Sequence, residues 1–213
     1  MRTVFKLLAI VALTLAALGQ SSTAQADGLR SVSMFKFKGL SANTSFESVD
    51  ASGCILSRLD VFTAEAMVQN PPGRRAPFSG TSIFLSQYDQ CTDTLLLAAE
   101  GITDLAEPDL QISPRLDSAT LNTTVTMFDT LTGNTFDLSV DLSWVGVGPS
   151  SRQHSSFRFG DKDCRVISRF KGTILVADVS GTVTDGVTNF TPQSSFYGEL
   201  ISSQNRDMIF GCT

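Results

Sequence analysis

From Thr135 to Val145 the even positions read Phe136, Leu138, Val140, Leu142 and Trp144, whereas the odd positions before Val145 read Thr135, Asp137, Ser139, Asp141 and Ser143. Strict alternation of this kind is the mark of a strand with one buried face and one wet face. Just upstream, Ala119 to Met127 alternates as well, and the stretch Asp129 to Asn134 (DTLTGN) supplies turn chemistry between the two. A hairpin in which Met127 meets Phe136, Val125 meets Leu138, Thr123 meets Val140, Leu121 meets Leu142 and Ala119 meets Trp144 sets every inward residue against another. The small Ala119 then leaves room beside the indole. A slip of one residue would turn a strand's apolar face to water, so this matching predicts the register as well as the strands.

The same texture runs through the rest of the chain. Further strands are expected at Ser31 to Lys38, Ile55 to Gln69, Ile83 to Tyr88, Thr94 to Glu100, Leu110 to Leu116 and Ser155 to Phe159. Others are expected at Arg165 to Lys171, Thr173 to Thr184, Ser195 to Ser202 and Asp207 to Phe210. Short strands parted by Gly, Pro, Asn, Asp and Ser clusters, with no run at helical period in the body of the chain, predict an all-β antiparallel sandwich or barrel rich in hairpins.

The N-terminus predicts the compartment. Arg2 and Lys6 flank an uncharged apolar run, Leu7 to Leu18, and Ala24-Gln25-Ala26 supplies a small-residue cleavage pattern. Together these read as a secretory signal peptide over residues 1–26, leaving 27–213 as a single all-β domain, or two packed β subunits with a boundary near 146–156. The apolar run is shorter than the roughly 20 residues that a membrane span requires, and no later segment is long or apolar enough to cross, so no membrane span is expected. The reading is of a secreted or periplasmic soluble protein.

In that compartment the even cysteine count reads as two disulfides among Cys54, Cys91, Cys164 and Cys212. Metal binding is not expected, because no C-x-x-C is present and a single histidine could join the thiols. Folding Ile55–Gln69 against Ile83–Tyr88 about Asn70-Pro71-Pro72-Gly73, with Phe62 opposite Ile83, puts Cys54 opposite Cys91. That leaves Cys164 for Cys212, although the other two connectivities stay open.

Charge and motifs mostly exclude. Of 16 Lys and Arg, Arg2 and Lys6 leave with the signal, so the mature chain carries 14 bases against 21 acids, a net charge of −7. With Arg74-Arg75 as its densest positive spot, nucleic-acid binding is not expected. No P-loop, nucleophile elbow, zinc-protease helix or dinucleotide fingerprint is present. The one histidine, His154, lies among Pro149, Ser150, Ser151, Arg152, Gln153, Ser155 and Ser156 and reads as a polar loop residue rather than a base, so no catalytic residue is assigned. Arg165, Arg169 and Lys171 share one strand parity and form a positive stripe, for which cross-strand carboxylates such as Asp137 or Asp141 are the expected partners.

Asp137 and Asp141, four residues apart on one strand, stand roughly 13 Å apart, too far for an acid and base pair. Glu100, Asp104, Glu107 and Asp109, and the pair Asp161 and Asp163, lack the spacing of a calcium loop, so no cofactor or metal is assigned. Asn43, Asn122 and Asn189 match the glycosylation acceptor pattern, which matters only in a eukaryotic source. The expected function is surface recognition or a structural role without catalysis. The alternatives are an extracellular carbohydrate hydrolase with paired carboxylates, and a barrel that carries an apolar molecule among its fifteen phenylalanines. The partner or ligand and the oligomeric state are not specified by the sequence.

Overall fold

The computed structural model describes residues 32–70, 73–106, 108–160, 164–186, 189–190 and 198–210, all within one compact unit, Ser31–Thr213. Ten strands run in chain order: β1 (Val32–Val49), β2 (Ile55–Asn70), β3 (Arg74–Asp89), β4 (Thr94–Asp104), β5 (Leu110–Ile112), β6 (Ser118–Asp129), β7 (Thr135–Gly160), β8 (Arg165–Thr184), β9 (Asn189–Phe190) and β10 (Gly198–Phe210). The protein is all-β, and every pairing is antiparallel within one sheet. Among the described residues no helix is long and apolar enough to cross a membrane.

The sheet returns on itself. Strands follow one another as β1-β2-β3-β4-β6-β7-β8, and β10 then pairs with both β8 and β1, which makes a ring of eight. The weakest seam lies between β4 and β6, where only Ala99↔Asp129 and Glu100↔Phe128 are paired. Gly101 sits at this crossing, and a Cβ there would lie 2.6 Å from Met127 Sδ and 2.8 Å from the Thr126 carbonyl. A side chain would therefore hold the two strands apart.

The β6–β7 hairpin has the register that the alternation predicts, from Ala119↔Trp144 through Thr123↔Val140 to Met127↔Phe136. Its inward residues fill the ring together with Leu59, Val61, Ile83, Leu85, Ala177, Val183 and Leu200. At its tip Asp129 is buried, and its carboxylate accepts from the Thr132 hydroxyl at 2.6 Å and the Leu131 N–H at 3.0 Å. Those bonds, the Thr132 hydroxyl first, hold the carboxyl below its ordinary pKa. A depressed carboxylate contributes stability above its unfolded value, about 3.9, and loses it as pH falls through the folded value. Asp129→Asn is therefore expected to lower the denaturation midpoint at pH 7. The gap from wild type should close as urea curves are taken below about pH 4, and a gap unchanged in acid would dismiss the carboxylate's role.

Two expectations need correction. In β2 and β3 the pairs are Val61↔Ile83 and Phe62↔Ser82, one residue from the predicted register. Phe62 accordingly points away from the interior. Cys54 and Cys91 still bond, with Cα atoms 5.3 Å apart, because both lie in turns beyond the paired strands, where the Gln90 N–H reaches the Cys54 carbonyl. One bridge of the expected two is thus in place. No described cysteine is free, and Cys212 lies outside the described residues.

The second correction concerns length. Gly146, Gly148 and Pro149 do not end a strand, because β7 continues to Gly160 through a bulge. Three residues, Gly148 to Ser150, oppose Leu175 alone, and Gly148 takes a left-handed φ of 71° that glycine tolerates. Two extra residues leave parity unchanged, so the even positions of β7 stay on the interior face on both sides of the bulge.

Candidate functional site

Beyond the ring the sheet continues. β3 is paired to β4 only from Gly80 onward, and β6 stops pairing with β7 at Val145. Past those points β3, β2, β1, β10, β8 and β7 run on as a six-stranded open flap in that order. Its two faces invert the polarity of the ring below. The outer face carries Phe35, Phe37, Phe78, Phe157, Phe159 and Phe170. Of these, Phe157 and Phe159 are 62% and 69% exposed and stack with centroids 6.4 Å apart.

The inner face continues the parity of Ala42, Leu200 and Ala177 and is cationic. One row across the strands reads Arg75, Gln69, Lys36, Arg206, Arg169 and Ser156, and the next reads Pro77, Met67, Lys38, Gln204, Lys171 and His154. With Arg152, Arg158 and Arg165 this face gathers nine of the twelve described Lys and Arg residues, against one carboxylate, Glu65. Lys38, Gln204, Lys171 and His154 of the second row, with Leu40, Ser202, Thr173 and Arg152 of the row beside it, line a groove of about 850 Å³ where the flap meets the ring, with Pro114 from the β5–β6 connection at its side.

His154 is therefore not a loop residue. It stands in β7, opposite Lys171 and beside Arg152, exposed in the groove. Trp144 lies ten residues earlier on the same face but inside the ring, 1% exposed, with its indole N–H donating to the Asn43 carbonyl at 3.0 Å. The stripe Arg165, Arg169 and Lys171 does not meet Asp137 or Asp141. Asp137 accepts from the Thr126 hydroxyl on the outer face, and Asp141 lies between Asn122 and Thr182. The stripe instead faces Phe210, Arg206 and Gln204 on β10, with the Arg165 guanidinium 5.0 Å from the Phe210 ring centre.

Elsewhere the site chemistry is sparse. Cys54, Asp89 and Cys91 bring two sulfurs and a carboxylate together, but the sulfurs are bonded to each other and offer no thiolate. Of the residues in the acidic clusters, Glu107, Asp161 and Asp163 lie outside the described residues. The groove escaped the sequence reading; the signal that could have found it is the alternation of cations with phenylalanines in three segments, MFKFK, RQHSSFRF and RVISRFK.

No protein-family model and no curated protein matches the chain. Among solved structures it is similar to a Nitrosomonas europaea protein described as a candidate AttH, at 10% identity and a TM-score of 0.27. The match covers 92% of this chain and 57% of that one, so the chain spans little more than half the length of that protein.

Proposed function

We propose that this is an exported, non-catalytic binding protein that takes its ligand in the groove at the open end of the ring. The observation that carries the reading is the groove's lining. Lys38, Arg152, Lys171 and His154 converge there with the hydroxyls of Ser202 and Thr173 and a single carboxylate, Glu65. Cation donors beside small polar groups suit recognition of an anionic group. A two-carboxylate hydrolase is less well supported, since it needs a second acid about 5 to 9.5 Å from the first. An apolar carrier is less well supported too, since Trp144, Leu59, Ile83, Leu121, Met127 and Leu138 fill the ring that would hold the cargo. Export rests on the signal pattern of residues 1–26 and agrees with the Cys54–Cys91 bridge. Cys164 pairs with Cys212 in this reading.

Titration of the oxidised protein with inorganic phosphate, followed by backbone amide NMR, tests the site. Shifts should gather at Lys38, Arg152, Lys171 and Ser202 and vanish in Arg152→Glu/Lys171→Glu. Shifts that persist in the double variant, or that fall elsewhere on the surface, would remove the groove as the site.

A further inference from the structure

The groove occupies only one end of the cationic face. We infer that the whole inner face of the flap is a binding surface for a linear acidic polysaccharide, with the groove holding one of its charged units; this deepens the groove reading and rests on it.

The first ground is the row Lys36, Arg206 and Arg169. These residues stand directly opposite one another on three adjacent strands. Like charges in that position repel and destabilise a sheet. At strand spacings of about 4.8 Å they lie well inside the Debye length of roughly 8 Å at physiological salt, so solvent ions do not hide them from each other. Among the described residues Glu65 is the face's one carboxylate, and it lies two rows away, beside Leu40 and Ser79. The Nε atoms of Arg206 and Arg165 are closed off from water and have no hydrogen-bond partner. A buried donor of that kind carries a desolvation cost that no contact shown for it repays.

Extent selects the ligand's size. Six strands span roughly 24 Å across the face, and β8 from Arg165 to Thr173 runs roughly 26 Å along it. A single small anion would touch one row, whereas a polymer with repeated negative groups meets several. The polar residues between the cations, Gln69, Ser156, Gln204, Thr173 and Ser202, offer donors and acceptors for hydroxyls. By contrast, a single nucleic acid strand would call for a row of aromatic platforms on this face. The phenylalanines of the flap lie on the opposite face, except Phe210, which is under Arg165.

Calorimetric titration of the oxidised full protein with a galacturonate hexamer, a galacturonate monomer, a neutral galactose hexamer and an oligothymidylate tests this. The acidic hexamer should bind at least tenfold tighter than the monomer, weaken steeply between 50 and 300 mM salt, and leave the neutral hexamer unbound. Arg169→Ser/Arg206→Gln removes two of the opposed charges outside the groove and should cost the hexamer at least tenfold while leaving the monomer unchanged. Thermal unfolding should show this variant as stable as wild type or more so, which separates lost binding from lost folding. Equal affinity for hexamer and monomer would overturn the extended surface and leave the groove reading standing. Tighter binding of oligothymidylate than of the acidic hexamer would overturn the polysaccharide. Failure of every anion, the monomer included, would overturn both readings.

Discussion

Replacing Trp144 with alanine is expected to destabilise the protein by about 3–5 kcal/mol, which for a domain of this size moves the thermal midpoint by on the order of 10 °C. The indole is among the largest fully buried side chains, and its surroundings are shaped to it. Ala119 and Val179 flank it on the neighbouring strands β6 and β8. On β10, Gly198 leaves space, since a Cβ there would stand 3.1 Å from the ring's Cδ1 and 2.3 Å from Val179 Cγ2. A cavity so bounded by backbone on several sides collapses poorly, which puts the cost near the upper part of that range. Removal also leaves the Asn43 carbonyl without the indole N–H, a further penalty of about 1–3 kcal/mol if water cannot reach it. Trp144→Phe keeps most of the volume and loses the donor, so it should cost less than half as much. Urea denaturation followed by far-ultraviolet circular dichroism measures both, because the only tryptophan cannot report on its own loss. A cost below about 1 kcal/mol for the alanine variant would mean that the ring is not packed around this residue.

The β6–β7 hairpin was legible because eleven alternating residues on one side and nine on the other admit a single register, and the structure has it. The β2–β3 hairpin was half legible. Phe62 looked like a core residue by size, yet Val61 and Thr63 are the inward pair, and Thr63 is fully buried with its hydroxyl donating to the Gly80 carbonyl. A buried threonine paired this way is silent in a hydrophobicity pattern. The groove was the least legible part, for two physical reasons. Glycine and proline at 146–149 signal a loop, but a bulge of two extra residues let β7 continue and put His154 on the same face as Trp144. The flap also reverses the usual rule, with phenylalanines outside and cations inside, so that parity inferred from apolar residues assigns Arg165, Arg169 and Lys171 to the wrong side. A net charge of −5 concealed the rest, because among the described residues the acids lie mostly on the ring's outer surface and in the turns, while the bases are gathered by pairings far apart in the chain.

Removing the bridge with Cys54→Ser/Cys91→Ser should cost about 2–4 kcal/mol. The bridge closes a sequence separation of 37 residues, for which chain entropy alone predicts roughly 4 kcal/mol. The folded state contributes little of this, since β2 and β3 are already paired from Asn70↔Arg74 to Ile55↔Asp89 without it. The turns are held separately as well. Asp50 accepts from the N–H groups of Cys54 and Ile55, and Asp89 accepts from those of Cys91 and Thr92. Both carboxyls are held below their ordinary pKa, Asp50 chiefly by the Ile55 N–H and Asp89 chiefly by the Thr92 side chain. The variant should therefore keep a native circular dichroism spectrum at pH 7 and lose stability through its less constrained unfolded chain. Acid should then expose the difference. As pH falls below the ordinary carboxylate value of about 3.9 and through their depressed folded values, the two carboxylates protonate and release those N–H groups, and the open end of the hairpin depends more on the covalent link. The gap between bridged and unbridged protein should widen from pH 7 to about pH 2, well below the ordinary carboxylate value, in urea curves taken on the double variant, which leaves Cys164 and Cys212 untouched. A gap that stays constant would show that the carboxylate turns and the bridge act independently, and a gap below 1 kcal/mol at both values would mean that the unfolded chain is already held near this register by other contacts.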